Sequence, residues 1–129
     1  MFSIEQIKAA HEKVKSGADF PNYIQDLLNL GVKGYNTNVN DGSVSYFGDA
    51  NFAASTSKKY DTIPIAEIAN KERFIEFLVM HQDGQTDYRT FCQQAAQCGI
   101  AKWRVSITEM TCTYYDDAEN PIVIEKIPE

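Results

Sequence analysis

The sequence predicts an α+β fold: a single domain of two pseudo-symmetric ααβββ repeats, with a mainly antiparallel sheet and helices packed on one face. The stretch GVKGYNTNVNDGSVSYF, which begins at Gly31, is matched type for type by GIAKWRVSITEMTCTYY, which begins at Gly99. Both stretches alternate apolar and polar residues as half-buried strands do, and each follows two segments with helical spacing. The chain has 129 residues, the usual size of one domain. We therefore assign residues 1–129 to one domain, with internal repeats at about 3–65 and 70–127.

The similarity runs from residues 19–47 to residues 87–115 without a gap, at an offset of 68 positions. Four positions are identical, and eight more keep the size, polarity or aromaticity of the side chain. Two long copies, rather than many short ones, indicate a pseudo-symmetric domain and not a solenoid.

Each repeat is predicted to begin with two helices. In the first repeat, Ser3 can cap a helix that Gly17 ends. The apolar face of this helix holds Ile4, Ile7, Ala10, His11 and Val14. Asp19 can cap the second helix, and Gly31 offers it a left-handed end. The apolar stripe of the second helix holds Phe20, Tyr23, Ile24, Leu27 and Leu28.

A hairpin is predicted to follow the helices in each repeat. From Tyr35 the period changes to two, and NDGS around Asp41 and Gly42 is a turn in which glycine accepts a positive φ at little cost. In the second repeat, TEMT takes the place of this turn. The side chains predicted to face the core are Tyr35, Thr37, Val39, Val44 and Tyr46, and then Trp103, Val105, Ile107, Cys112 and Tyr114.

A third strand is predicted after each hairpin. In the first repeat it is TIPIAEI, residues 62–68, and in the second it is NPIVIEKI, residues 120–127. The segment GDANFAASTSKK, residues 48–59, is predicted to be a polar loop because it shows no regular apolar period.

Charge and composition exclude several classes of partner. The net charge of −6 repels phosphate backbones, so we expect no nucleic-acid partner. The first residues lack the basic and apolar regions of a secretory signal, and the apolar runs are far shorter than the roughly 20 residues of a membrane span. Three cysteines, an odd number without an exported context, indicate reduced thiols. We therefore expect a soluble, cytoplasmic protein without membrane association.

The reactive side chains are predicted to serve the fold. Cys92, Cys98 and Cys112 stand where the other repeat has aliphatic core residues, so we expect small buried hydrophobes, and their spacing matches no zinc site. Asp19 and Asp87 precede helices and are expected to cap them. The sequence shows no glycine-rich phosphate loop, serine elbow or zinc-binding helix motif. No catalytic residue, metal or cofactor is therefore assigned.

The two histidines are the remaining candidates for chemistry. His11 and His81 each lie near the end of the first helix of a repeat. A partly buried, hydrogen-bonded histidine is the commoner arrangement. A pocket between the repeats could instead bring the two imidazoles, or the tyrosines, together.

The outward side of the predicted sheet carries the candidates for binding. It presents amides, hydroxyls and one guanidinium, with an aromatic residue at the edge of each repeat's polar patch. Arginine and aromatic residues beside small hydroxyls are typical of recognition surfaces. The candidate binding residues are Asn36, Asn38, Phe47, Arg104, Ser106 and Tyr115.

Three runs of sequence carry a resemblance to a known family: KSGADFPNYIQDLLNLGVKGY, TDYRTFCQQAAQCGIAKWRV and MTCTYYD. The chain resembles the YbcV-like family of small bacterial and phage-derived proteins, often labelled "phage envelope protein" and otherwise a domain of unknown function. The likeness extends from the first helix to IEKIP. It implies no established activity and no catalytic residues to carry over.

The leading functional hypothesis is a non-catalytic module that binds a protein or a small ligand. A homodimer formed through a sheet face or edge is one such arrangement. The first alternative is an enzyme that holds a small molecule in a pocket between the repeats. The second alternative is a phage-derived structural protein.

Overall fold

The elements follow one another in the order ααβββ, twice, in a computed structural model that describes residues 2–14, 19–49 and 53–127. The helices are α1 (Ile4–His11), α2 (Phe20–Leu30), α3 (Lys71–Gln82) and α4 (Tyr88–Gln97). The strands are β1 (Val32–Asn38), β2 (Val44–Gly48), β3 (Ala53–Ser55), β4 (Ile100–Ser106), β5 (Thr111–Asp116) and β6 (Pro121–Lys126). The predicted α+β class is confirmed.

The six strands form one open antiparallel sheet in the order β3-β2-β1-β4-β5-β6. The first three strands of the chain lie side by side, and so do the last three. The two sets meet at a seam, the antiparallel pairing of β1 with β4. At the middle of the seam Asn36 lies opposite Arg104, so residues far apart in the sequence become neighbours.

One face of the sheet is buried under the helices. Helix α2 packs against β1, α4 against β4 and α3 against β6. From Tyr35 in β1 and from Trp103 in β4, buried and accessible residues alternate with the period of two that a half-buried strand requires. All ten hairpin residues predicted to face the core are buried, including Thr37, which is 2% exposed.

The ends of the helices follow the predicted capping residues in part. Ser3 and Gln6 form a reciprocal capping box at the start of α1. The Asp87 carboxylate accepts a hydrogen bond from the Thr90 N–H at 2.7 Å and caps α4. Asp19 occupies the capping position of α2, but its backbone is helical (φ −86°, ψ −9°) and its side chain makes no capping hydrogen bond. The predicted cap at Asp19 is therefore wrong.

The observed α1 and α2 differ from the predicted helices at the end of α1 and in the burial of Leu28. Helix α1 ends at His11, so Val14 lies beyond it, and the predicted stop at Gly17 lies outside the described residues. Helix α2 ends as predicted at Gly31, which has a φ of 96°. Leu28 is 46% exposed rather than buried, because it lies at the margin of a stripe that the core contacts through Tyr23, Ile24 and Leu27.

The third strand of the first half is not where it was predicted. Residues 62–68 form no strand: the Ile63 N–H donates to the carbonyl of Asn40, and the Ala66 N–H donates to the carbonyl of Ala96. Pro64 between them has no N–H for a ladder. The strand is instead β3, inside the predicted loop at 48–59, of which residues 50–52 lie outside the described part. The third strand of the second half, β6, is confirmed within residues 120–127.

Candidate functional site

The face of the sheet away from the helices carries three rows of side chains that cross the strands. The middle row crosses all six strands and consists of Ser55, Ser45, Asn36, Arg104, Thr113 and Ile124. Phe47, Gly34 and Ser106 belong to the row on one side of it. Asn38, Lys102 and Tyr115 belong to the row on the other side. The register therefore places all six predicted binding residues on one face.

Phe47 lies flat across Gly34 on the neighbouring strand. A Cβ on Gly34 would lie 2.5 Å from Cζ of the Phe47 ring and 2.7 Å from the carbonyl oxygen of Val105. Glycine at this position thus makes room for the ring. The Arg104 guanidinium lies over the Phe47 ring, with its Cζ 5.0 Å from the ring centroid.

Lys102 and Tyr115 form a second cation–aromatic pair on the same face. The Lys102 ammonium lies 5.3 Å from the centroid of the Tyr115 ring and makes a salt bridge with Glu119. The hydrogen bond and charge of Lys102 lower the pKa of Glu119. Arg104, in contrast, makes no salt bridge with any carboxylate in the described part of the chain.

Two adjoining grooves open on this face. The sheet-face groove, about 290 Å³ in volume, is lined by Asn36, Lys102, Arg104, Tyr115 and Glu119. A larger groove of about 380 Å³ begins at Asn38 and runs over the loop after β5. The two grooves share Lys102 and Glu119 as a common wall.

The structure separates the six predicted residues by their surroundings. Asn36, Arg104 and Tyr115 line the sheet-face groove, and the Arg104 guanidinium lies over the Phe47 ring. Asn38 lines the larger groove and donates from Nδ2 to the hydroxyl of Ser43 at 3.0 Å. Ser106 accepts from the Glu109 N–H at 3.3 Å, so its hydroxyl helps to hold the turn after β4.

Lys102 and Glu119 line the sheet-face groove but are not among the binding residues predicted from the sequence. Lys102 alternates with Arg104 and Ser106, so the strand period alone places it on the outward face. Glu119 follows β5 in the DDAE run and has a positive φ of 66°, a loop geometry that the sequence does not reveal.

Each histidine packs on an aromatic ring of the neighbouring helix, and neither lines the two grooves. The His11 ring meets Tyr23 edge-on at 5.3 Å, and the His81 ring stacks on Phe91 at 4.4 Å. His81 Nδ1 also lies 3.1 Å from the hydroxyl of Thr86. Desolvation lowers the pKa of both histidines.

Three tyrosines, Tyr23, Tyr35 and Tyr46, gather on the helix side of the sheet. The rings of Tyr35 and Tyr46 lie 5.4 Å apart, and the Tyr23 hydroxyl interacts with that of Tyr46. Burial raises the pKa of all three phenols. This cluster lies under α2, close to the seam between the two halves.

All three cysteines are free and buried, as predicted. Cys92 is 0%, Cys98 2% and Cys112 6% exposed, so their sulfur atoms pack as core groups. Burial raises the pKa of each thiol, to about 12 for Cys112.

The fold and site together define an α+β protein with one helix-covered sheet face and one open, polar face. The chain belongs to the family described as "Protein of unknown function (DUF1398)", whose model matches residues 8–126. No curated protein matches the chain. Among the helices that the structure describes, none has both the length and the apolar character needed to cross a membrane.

Proposed function

We propose that this protein is a non-catalytic binding module whose sheet-face groove holds the anionic group of a small ligand. One observation carries the proposal: the Arg104 guanidinium is held on Phe47 at the wall of the groove and makes no salt bridge within the described residues. A guanidinium held in this way presents its N–H fork to a carboxylate or phosphate.

The rest of the groove fits a small ligand better than a long polymer. Its volume of about 290 Å³ lies at the small end of ligand pockets. Tyr115 offers a ring for apolar contact and Asn36 an amide that can donate or accept. The charge of Lys102 is balanced by Glu119, so Arg104 supplies the unbalanced positive charge.

The test is a thermal-shift screen of small carboxylates and phosphate esters, since a ligand that binds the folded state raises the melting temperature. We expect a hit to lose its shift in Arg104→Met and to keep it in Arg73→Met. Arg73 is a suitable control because it is exposed on α3 and paired with Glu76. Equal shifts in both variants, or no hit in the wild type, would contradict the proposal.

We infer that the two halves are internal repeats of one domain. The offset of 68 residues pairs Tyr35 with Trp103 and Thr37 with Val105. In the seam, Tyr35 lies opposite Val105 and Thr37 opposite Trp103. An approximate two-fold axis through the pair of Asn36 and Arg104 would interchange these positions, which supports the duplication.

The open, polar face of the sheet is also suited to binding a protein partner, including a second copy of the chain. A homodimer through this face would bury Arg104 and Tyr115, so Arg104→Glu should weaken it. Light scattering coupled to size-exclusion chromatography measures this directly, and a monomer at all concentrations would remove the dimer. We propose a cytoplasmic location, which the three free thiols support.

The sequence leaves two alternative functions open. An enzyme with a pocket between the repeats would need His11 or His81 beside a substrate. NMR can follow the titration of both imidazoles with and without candidate substrates. Titration curves that no candidate substrate changes would contradict this function. The resemblance to YbcV-like proteins raises a phage-derived structural role. That role requires large assemblies, which size-exclusion chromatography detects.

A further inference from the structure

A second cluster of cations and aromatic rings lies on the helix side of the sheet, away from the sheet-face groove. It consists of two pairs of neighbours in the chain: Lys59 with Tyr60, and Tyr88 with Arg89. The Lys59 ammonium lies 5.7 Å from the centroid of the Tyr88 ring. The Arg89 guanidinium lies 4.6 Å from the centroid of the Tyr60 ring. Each pair thus places its cation over the ring of the other, and we call these four residues the clasp.

Backbone hydrogen bonds fix the two sides of the clasp. The Lys59 N–H donates to the carbonyl of Asp41 at 2.7 Å, which ties the connection between β3 and α3 to the first hairpin turn. Farther along this connection, the Ala66 N–H donates to the carbonyl of Ala96 in α4 at 2.9 Å. The clasp is therefore built on fixed backbone, although its two sides are distant in sequence.

On the side of the core, the polar groups of the clasp are buried and already have partners. The Tyr60 hydroxyl donates to the carbonyl of Val39, and both Tyr60 and Tyr88 interact with the fully buried thiol of Cys92. Tyr88 as a whole residue is 41% exposed, and Lys59 and Arg89 are exposed too, so the clasp is accessible to solvent. A ligand can therefore reach the cations without displacing the core.

The two cations of the clasp have no ionic partner in the described part of the chain. The salt bridges there join Lys33 to Asp49, Arg73 to Glu76 and Lys102 to Glu119. Asp41 is the carboxylate that acts on Tyr60, but the N–H and hydroxyl of Ser43 already occupy its Oδ1. Within the described residues, no carboxylate therefore neutralises the charge of Lys59 or of Arg89 through a salt bridge.

We propose that the clasp binds a small anion, a phosphate or carboxylate carried on a planar ring, between Lys59 and Arg89. The anion would complete the ion pairs that the chain leaves open. The exposed Tyr88 ring would contact the planar part of the ligand by offset stacking or edge-to-face contact. Desolvation lowers the pKa of Lys59, and a bound anion would oppose that effect by favouring the charged ammonium.

Trp103 makes this site measurable. It is the only tryptophan of the chain, and its ring meets that of Tyr88 edge-on at 6.2 Å. Trp103 faces the helix side of the sheet, whereas Arg104 faces the other side. Its fluorescence therefore reports on the clasp.

The experiment titrates the whole protein with phenyl phosphate, sodium benzoate, inorganic phosphate and neutral phenol while Trp103 fluorescence is recorded. We expect saturable changes with phenyl phosphate or benzoate, weaker binding of inorganic phosphate, and none of phenol. Comparison of the first two shows which anion is preferred. Lys59→Met and Arg89→Met should each weaken binding about tenfold, as expected for loss of a charge-assisted hydrogen bond. Lys59→Arg should retain most of it.

Two controls separate this site from the charged surface around it. Lys58→Met removes the neighbouring exposed charge, and Arg73→Met removes an exposed cation that is paired with Glu76 on α3, so both variants should bind the probe like the wild type. A wild type without a saturable response would overturn the proposal. So would equal affinity in Lys59→Met, or loss of binding in Lys58→Met. A melting curve of each variant tests whether that variant is folded. Arg89→Met is a second, independent test in case Lys59→Met does not fold.

Discussion

The three cysteines show how a reactive group becomes a core residue. A thiol reacts as its thiolate, and burial raises the pKa of Cys92, Cys98 and Cys112. At neutral pH each thiol is therefore protonated as well as enclosed.

We expect the native protein to react with a disulfide reagent such as dithionitrobenzoate only as fast as it opens. In denaturant, all three thiols should react at once. The absorbance of released thionitrobenzoate measures both rates. A fast phase in the native protein would show that one thiol is accessible, and Cys92→Ser, Cys98→Ser and Cys112→Ser would identify it.

At the scale of single elements, two glycines 68 residues apart lie at the C-terminal ends of α2 and α4 in different surroundings. Gly31 has a φ of 96° and Gly99 a φ of 79°, so both adopt the left-handed backbone that other residues avoid. A Cβ on Gly31 would meet nothing within 4 Å. A Cβ on Gly99 would lie 2.7 Å from the carbonyl oxygen of Ile68, in the connection that crosses this helix end.

We therefore expect Gly99→Ala to destabilise the protein more than Gly31→Ala. The left-handed backbone costs about 1–2 kcal/mol in each variant, and overpacking adds about 1–3 kcal/mol at Gly99 alone. Urea unfolding at equilibrium measures the difference. Gly84→Ala is a second control, since Gly84 has a φ of 80° and open space around it, and it should match Gly31→Ala.

The cap of α4 makes one contribution to stability dependent on pH. Hydrogen bonds from Thr90, through its side chain and its backbone, lower the pKa of Asp87 below its usual value. A lowered pKa in the folded state stabilises the protein above the unfolded pKa of about 3.9, and this stabilisation is lost as the pH falls through the folded pKa.

We expect Asp87→Ala to lower the melting temperature at pH 7 by a few degrees, because Ala cannot cap the helix. At pH 3 the difference between the wild type and Asp87→Ala should shrink. Asp87→Asn keeps a capping oxygen without a titrating group, so it separates the hydrogen bond from the charge. A difference that stays constant between the two pH values would contradict this account.

Elements with a clear period could be predicted from the sequence, and those held by backbone contacts could not. The hairpin strands alternate over many residues, so their buried face was evident at Tyr35 and Trp103. Strand β3 has three residues and no such period. Residues 62–68 are apolar enough to look like a strand, yet their hydrogen bonds go to a turn and to the end of α4.

The candidate site divides in the same way. Alternation along one strand predicted the outward direction of Asn36 and Arg104. The contact between Lys102 and Tyr115 depends on the register of β4 against β5, which places the two residues opposite each other and which the period of a single strand does not fix. The clasp depends on the path of residues 56–70, and no local pattern reveals that path.

At the scale of the whole molecule, the seam between β1 and β4 lies at the centre of the sheet. Both strands have a hydrogen-bonded neighbour on each side and helices over one face. Strand β3 has a neighbour on one side only.

We expect amide hydrogen exchange to be slowest in β1 and β4 and fastest in β3, since exchange follows the free energy of local opening. NMR measures the rates, and division by the intrinsic rate of each sequence removes local chemical effects. If β1 exchanged as fast as β3, the two three-stranded halves would unfold independently, and the pairing of β1 with β4 would not make them one cooperative unit.

The contact of Phe47 with Gly34 has a consequence for any molecule that meets the open face. Because the Phe47 ring packs against the Gly34 backbone and the Arg104 guanidinium lies over that ring, we expect both side chains to lose less rotational freedom on binding than side chains without such contacts. Association would then carry a smaller entropic penalty than it would on a surface of mobile long side chains. A Gly34→Ala variant, which forces the ring to move, would change how rigid this platform is without removing any of its charges.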